Sequence, residues 1–366
     1  MKRPHYCERV DGNAVTVRTR SPWFLLKPPE RPVNAVPRER LRSVLTEHIS
    51  AHAVTIVSAP AGSGKTLAVS EWAETCEEAV AWLTLTRYET NSARIHRGLV
   101  STLQRLADGP DGEPYQRLRS LRLEDSEPAV LVDSILGAFA DIDDRVVIVV
   151  DDAHLAGAAL GESIFTDLAD IAPQSLRIVF VGRGILGVPV ERWCARNRAV
   201  VVGADELSLT TDEVLMAASR YGIAVGREAA DSLRRETHGW PIAVRAALSA
   251  AGSNSTLIHA PGLHSLKHPI GIRDYIAQEV LANLRPELRE FILAATTCSR
   301  LGSELAEHLS GRSDAGALLE ECVASGLFVQ RITDIGGRTI YCWHALFASQ
   351  SGHLDWYRLR ERQTVE

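Results

Sequence analysis

The chain has 366 residues, enough for two or three small domains with a sizeable core. Its 45% hydrophobic and 23% charged content is that of ordinary globular protein, and a formal net charge of −6 excludes a broad basic surface for nucleic acid. The N-terminus MKRPHYCERVDGNAV lacks an apolar signal core and no apolar run reaches bilayer length, so no membrane partner is expected and the cytoplasm is the expected compartment. Cys7, Cys76, Cys194, Cys298, Cys322 and Cys342 are scattered without a C-x-x-C pair and read as buried, reduced thiols.

Residues 1–34 are polar and run into the proline-rich stretch KPPERPVNAVPRER, which predicts an extended, partly disordered leading segment. Over 35–204, the runs AVTIVSA, AVAWLTL, RVVIVVDD, LRIVFVGR and RAVVVGA alternate with helical patterns such as KTLAVSEWAETC and SARIHRGLVSTLQRLA. Continuous β-branched runs bounded by breakers mark strands buried on both faces of a parallel sheet. The alternation predicts a doubly wound α/β domain with helices on both faces of that parallel sheet, which the loop SAPAGSGKT makes a P-loop NTPase fold. Over 205–251 the strands stop. TTDEVLMAASRYG, GREAADSLRRETHG and PIAVRAALSAAG predict three short helices, a helical lid domain. Residues 252–271 read as a linker. Over 272–350, four helices (IRDYIAQEVLANL, PELREFILAAT, GSELAEHLS, DAGALLEECVASG) precede a hairpin, LFVQRI and RTIYCW around TDIGG. Pro286 sits where a helix begins and Gly326 where one ends. Helices followed by a hairpin predict a winged-helix domain, with 351–366 as a tail.

The stretch SAPAGSGKT (Ser58–Thr66) follows the strand run VTIV and opens the helix KTLAVSEWAE. That context separates a Walker A phosphate loop from a plain glycine turn. The cradle comprises Ala59, Pro60, Ala61, Gly62, Ser63, Gly64, Lys65, Thr66 and Leu67, and it predicts ATP or ADP with Mg²⁺ as ligands. Gly62 and Gly64 let backbone N–H groups turn inward, and the helix N-terminus adds its positive dipole end. Lys65 is expected at the β- and γ-phosphates, and Thr66 as a ligand of Mg²⁺. Ala59 stands where the usual pattern has glycine, at the strand end. RVVIVVDDAH places Asp151 and Asp152 at the C-terminal end of a strand, where open α/β sheets bind ligands. Asp151 is expected to hold Mg²⁺ through water and Asp152 to orient or activate the attacking water. LRIVFVGR ends in Arg183, which either meets the γ-phosphate or lies on the surface.

These motifs, together with LLKPPERPVNAVPRERL, ADELSLTTDEV, HGWPIAVRAAL, LLEECVASGLFV and YCWHALF, resemble in order the MalT-like, large ATP-binding LuxR-type transcriptional regulators of the STAND class of P-loop ATPases. The resemblance covers residues 22 to 350. It implies that Val36 and Arg38 of VPR pack beside the adenine, that Pro241 of GWP lies against the base, and that His344 of WHALF touches the ADP phosphate. From the residues alone, Gly-Trp-Pro is a helix–turn–helix junction with an aromatic anchor, and a lone histidine beside aromatics, as His344 is, is more often a satisfied core residue. The resemblance further implies an ADP-held resting state, ATP-driven self-association, and slow hydrolysis that resets the switch.

Members of that group continue into a helical-repeat sensor and a LuxR-type helix-turn-helix, and neither is expected in this chain, so the inducer is unnamed. Residues 270–350 hold seven arginines and no lysine against ten acidic residues, which argues against DNA binding by this chain itself. Two further readings remain: a P-loop ATPase or kinase acting on a separate substrate, and a truncated, inactive form of a regulator.

Overall fold

The computed structural model describes residues 23–108, 110–122, 127–184, 186–253, 281, 284–325, 327–333, 338–343 and 347. The five apolar runs are strands: β1 (Val54–Ser58), β2 (Ala79–Thr84), β3 (Val146–Asp151), β4 (Leu176–Gly182) and β5 (Ala199–Val202). All pair in parallel, in the order β2-β3-β4-β1-β5. Both faces of the inner strands β1, β3 and β4 are buried, which is why those runs are continuously apolar rather than alternating. Ile56, Ile148, Val150, Ile178 and Phe180 share one core, with helices Ser92–Leu106, Pro128–Ala140 and Ile164–Ile171 packed over them. Val57, Val147, Val149, Val179 and Val181 share the other, with Leu41, Leu45 and Ile49 of helix Glu39–Ala51 and Trp72 of helix Lys65–Thr75. Each such fully buried side chain contributes about 1.5–3 kcal/mol.

The order matters for function because β4 lies between β1 and β3. The C-terminal end of β4 therefore sits between the phosphate loop that follows β1 and the acidic pair that closes β3.

The leading segment departs from the extended chain expected up to residue 34. Trp23–Leu26 forms a 3-10 turn packed against β2, with Leu26 buried in the sheet core. The apolar run WFLL has more to gain from burial than the polar chain around it. The cysteine expectation also fails in part. Cys322 is buried and Cys76, Cys298 and Cys342 are half-buried, but Cys194 is exposed near the end of a short helix; these five are free thiols, and Cys7 lies outside the described residues.

After β5, helices Thr211–Arg220, Arg227–Thr237 and Pro241–Ser253 enclose a small core of Val214, Leu233, Val244 and Leu248. The first opens with a capping box, in which Thr210 accepts from the Glu213 N–H and the Glu213 carboxylate accepts from the Thr210 N–H. The last described part holds helices Pro286–Ala295, Ser303–Ser310 and Ala315–Ala324 and a three-stranded antiparallel sheet of order β6-β8-β7. Its strands are β6 (Arg300–Leu301), β7 (Val329–Thr333) and β8 (Thr339–Trp343). β7 and β8 form the expected hairpin. β6, two residues long, is too short to leave a pattern in the sequence. Pro286 does open its helix; Gly326, most of the 252–271 linker and most of the run IRDYIAQEVLANL lie outside the described residues.

Candidate nucleotide site

β1 delivers the chain to the loop Ala59–Gly64, which turns at Gly62 (φ 73°) and Gly64 (φ 78°) into helix Lys65–Thr75. Both glycines are in the left-handed region, where a side chain is strained. Gly62 has a second reason: a Cβ there would stand 2.4 Å from Cγ2 of Ile242. The Lys65 ammonium is buried and donates to the carbonyls of Ala59 (2.7 Å) and Pro60 (2.9 Å), which fold it back over the loop. Burial, and then repulsion from Arg183, pull its pKa down to about 8.

Thr66, in the first turn of the same helix, donates from Oγ1 to Asp151 Oδ1 at 2.9 Å. The two expected Mg²⁺ groups are thus already paired. Asp151 closes β3 at 2% exposure, and burial, followed by the neighbouring Asp152, pushes its carboxyl up to about 7. Asp152 takes a left-handed φ of 52° that turns the chain out of β3. Burial raises its carboxyl too, while Arg183 and then Lys65 hold it down. Arg183 follows β4 and lies within electrostatic reach of Lys65, Asp152 and His154, as the placement of β4 requires.

His154 belongs to this site and was not singled out in the sequence. Its imidazole is pushed down to about 4 by burial, then by Arg183 and Lys65, so it is neutral at physiological pH. Its Nδ1 is buried without a hydrogen-bond partner. The signal was its position, two residues beyond Asp152 in DDAH. Close approach fixes it: a Cβ on Gly182 would meet the His154 N at 3.2 Å.

Lys65, Thr66, Asp151, Asp152 and Arg183 therefore converge. Pro241 joins them across the loop, its Cγ standing 3.9 Å from where a Cβ on Gly64 would be. Val36 and Arg38 sit at a different junction. Val36 packs on the helical core, and the Arg38 guanidinium donates to the carbonyls of Leu207 (2.8 Å) and Ser208 (3.0 Å) and pairs with Glu213 (3.4 Å). His344 lies outside the described residues.

The residues fit a nucleotide with its cation. The loop is built on two left-handed glycines, carries a buried ammonium, and faces a buried carboxylate whose charge is unfavourable without a cation. Among the described residues no cluster of three or more His, Cys, Asp or Glu could hold a metal by itself. Thr66 and Asp151 would share Mg²⁺ with phosphate oxygens and water, the usual arrangement for this ion.

Asp151 gives a pH prediction with a defined sign. Its folded pKa lies above its ordinary 3.8, so its contribution to stability is complete below that value and is lost as pH rises through about 7. Asp151→Asn removes this titration. In EDTA, the variant is expected to gain stability relative to the parent chain as pH goes from about 5 to about 8, read as a urea midpoint. A constant difference across that range refutes the assignment. Lys65, lowered to about 8, acts oppositely: the stability it contributes is present above 10.5 and is lost as pH falls through about 8.

Residues 48–186 match the AAA domain family and residues 277–350 match the MalT winged helix domain family. In these two domains the chain is similar to MalT-like P-loop proteins. The serine/threonine-protein kinase PknK of Mycobacterium tuberculosis (strain ATCC 25618 / H37Rv) is 28% identical over 315 residues, 84% of this chain and 28% of that protein. The HTH-type transcriptional regulator MalT of Serratia proteamaculans (strain 568) is 27% identical over 330 residues, 88% of this chain and 35% of that protein. The chain thus spans about a third of the length of these curated relatives. In fold it is similar to the Walker-type ATPase of Pyrococcus abyssi, with a TM-score of 0.59, 13% identity, and coverage of 90% of this chain and 99% of that one. Among the described residues no helix is long and apolar enough to cross a membrane.

Proposed function

We propose that this MalT-like chain is an ATP/ADP-binding switch module, in which the nucleotide acts as a clamp whose identity sets conformation and self-association. The observation that carries the reading is that one loop serves two structures. Ala59–Gly64 presents Lys65 and Thr66 to the acidic pair, and its Ala61 belongs to the same hydrophobic core as the winged-helix residues Phe291, Leu319 and Trp343. A loop that must fit phosphates and also pack the last domain is suited to reporting one to the other.

Lys65 and the loop amides would bind the phosphates, with Pro241 beside them. Mg²⁺, when bound by Thr66 and Asp151, would neutralise phosphate charge. Asp152 would accept a hydrogen bond from the attacking water, and Arg183 would meet the γ-phosphate, which ADP lacks. His344 would add a contact from the winged-helix side, and Val36 and Arg38 one beside the adenine.

Two features weigh against a substrate kinase and against nucleic-acid binding. A substrate kinase needs free arginines over the acceptor, but Arg227, Arg234 and Arg235 of the helical domain are held by Asp212 and Asp231. Helix Ala315–Ala324 presents Glu320 and Glu321 to Arg331 and Arg285, a poor face for nucleic-acid phosphates.

Purified chain is expected to release ADP on acid extraction. It is also expected to elute at larger size with Mg²⁺ and a non-hydrolysable ATP analogue than with ADP. Identical elution profiles, with binding demonstrated, would remove the switch from the proposal.

A further inference from the structure

Trp240 lies in the middle of the GWP motif, yet neither its indole N–H nor its ring faces are used by the site as described. The indole is 5% exposed and donates from Nε1 to the carbonyl of Ala61 in the phosphate loop, at 3.0 Å across 179 residues of sequence. Its ring meets Phe328, with centroids 4.8 Å apart and planes at 63°. Phe328 stacks on Phe347 at 4.7 Å, and Phe347 on Trp343 at 5.8 Å. An unbroken aromatic series thus runs from the phosphate loop to the strands β7 and β8.

The contact is tight on the loop side. The Ile242 N–H donates to Gly62 O at 3.2 Å, and a Cβ on Gly62 would stand 3.3 Å from Trp240 Nε1. Any change in the path of residues 61–62 must therefore move Trp240 or Ile242. The other side is strained. Phe328 has φ 45°, a conformation that bulky residues adopt only when their surroundings impose it. Phe328 is held by its packing between Trp240 and Phe347; without the Trp240 face it can relax and carry β7 with it. The apolar ring faces pack the core, and the N–H does something further: it is aimed at a loop carbonyl.

We propose that Trp240 is a positioning residue that makes the path of the phosphate loop and the docking of the winged-helix hairpin a single equilibrium. Its N–H reads the loop and its ring seats Phe328. By linkage, loosening either end loosens the other. The role in signalling rests on the nucleotide-switch reading; the mechanical coupling does not.

The test is hydrogen exchange on the full chain, first without nucleotide. Phe328→Leu keeps bulk but removes the ring contact. It is expected to speed exchange of the amides of residues 61–66 by about 3- to 10-fold, the weight of one aromatic contact or hydrogen bond. In a Trp240→Phe background the same change is expected to leave those amides unaltered. Acceleration confined to β7 and β8, or an equal loop effect in both backgrounds, overturns the coupling. In the second arm, Mg²⁺–ADP is expected to protect β7 and β8 in the parent chain but not in Trp240→Phe, whose ADP affinity stays within about 10-fold. Equal protection in both chains overturns the coupling. Absence of ADP binding by the parent chain defeats the switch reading alone, because the nucleotide-free arm still decides the role of Trp240.

Discussion

Lys65→Ala is expected to weaken ADP and ATP binding at least about 100-fold while leaving the fold intact, because charge-assisted hydrogen bonds from a desolvated ammonium contribute about 1.5–3 kcal/mol each. Lys65 is the cation at the start of the P-loop helix, and it already makes short bonds to the Ala59 and Pro60 carbonyls. Exchanging those carbonyl oxygens for phosphate oxygens asks for little reorganisation. Its pKa, lowered to about 8 by burial and Arg183, means that the charged form is disfavoured before phosphate arrives. Removing it should therefore not destabilise the nucleotide-free chain, and the melting temperature without ligand is expected to hold or rise. Lys65→Arg is not expected to rescue binding, since a planar fork cannot take the place of a compact ammonium between two carbonyls of a tight loop. Titration with a fluorescent ADP and paired melts with and without Mg²⁺–ADP measure both halves. Retained affinity in Lys65→Ala would dismiss the loop as the phosphate site.

Arg38→Ala is expected to destabilise the chain by about 3–5 kcal/mol, the usual result of stranding one member of a buried ion pair. Arg38 and Glu213 are 7% and 5% exposed. The guanidinium bonds Glu213 and the carbonyls of Leu207 and Ser208, and the Arg38 backbone N–H donates to Glu71 of the P-loop helix at 3.1 Å. Glu213 also accepts from the Thr210 N–H to cap its own helix. Without Arg38 its nearest paired cation is Arg40, at 4.0 Å and partly exposed. Adding Glu213→Gln to Arg38→Ala is expected to restore part of the loss, because glutamine keeps the cap without the charge. Urea unfolding of the three chains tests this. A loss under about 1 kcal/mol in Arg38→Ala would show that the pair contributes little more than an exposed one.

Arg38 also illustrates why part of the site was not legible beforehand. Its partners Leu207, Ser208 and Glu213 are some 170 residues away in sequence. Nothing in VPR announces them. The fold itself was largely legible. Five continuous β-branched runs, broken by helical patterns, could bury their side chains only in a two-sided parallel sheet. Elements without a pattern of their own escaped: β6 is two residues long, and Trp23–Leu26 packs against β2, far from it in sequence.

What the sequence by itself determined was local chemistry. Gly62 and Gly64 permit the left-handed turns of the phosphate loop, Lys65 and Thr66 open its helix, and the run VVIVVDD ends in two carboxylates. These follow from the conformational preferences of neighbouring residues and need no knowledge of the rest of the chain. The tertiary structure alone decided the assembly. Inserting β4 between β1 and β3 brings Arg183 to Lys65 and Asp152 and leaves His154 half-buried and neutral. Packing Trp240 between Ala61 and Phe328 joins the phosphate loop to the last domain. Those juxtapositions depend on strand order and domain packing, which are set by the summed burial of residues far apart in the chain and leave no mark on any one stretch of it.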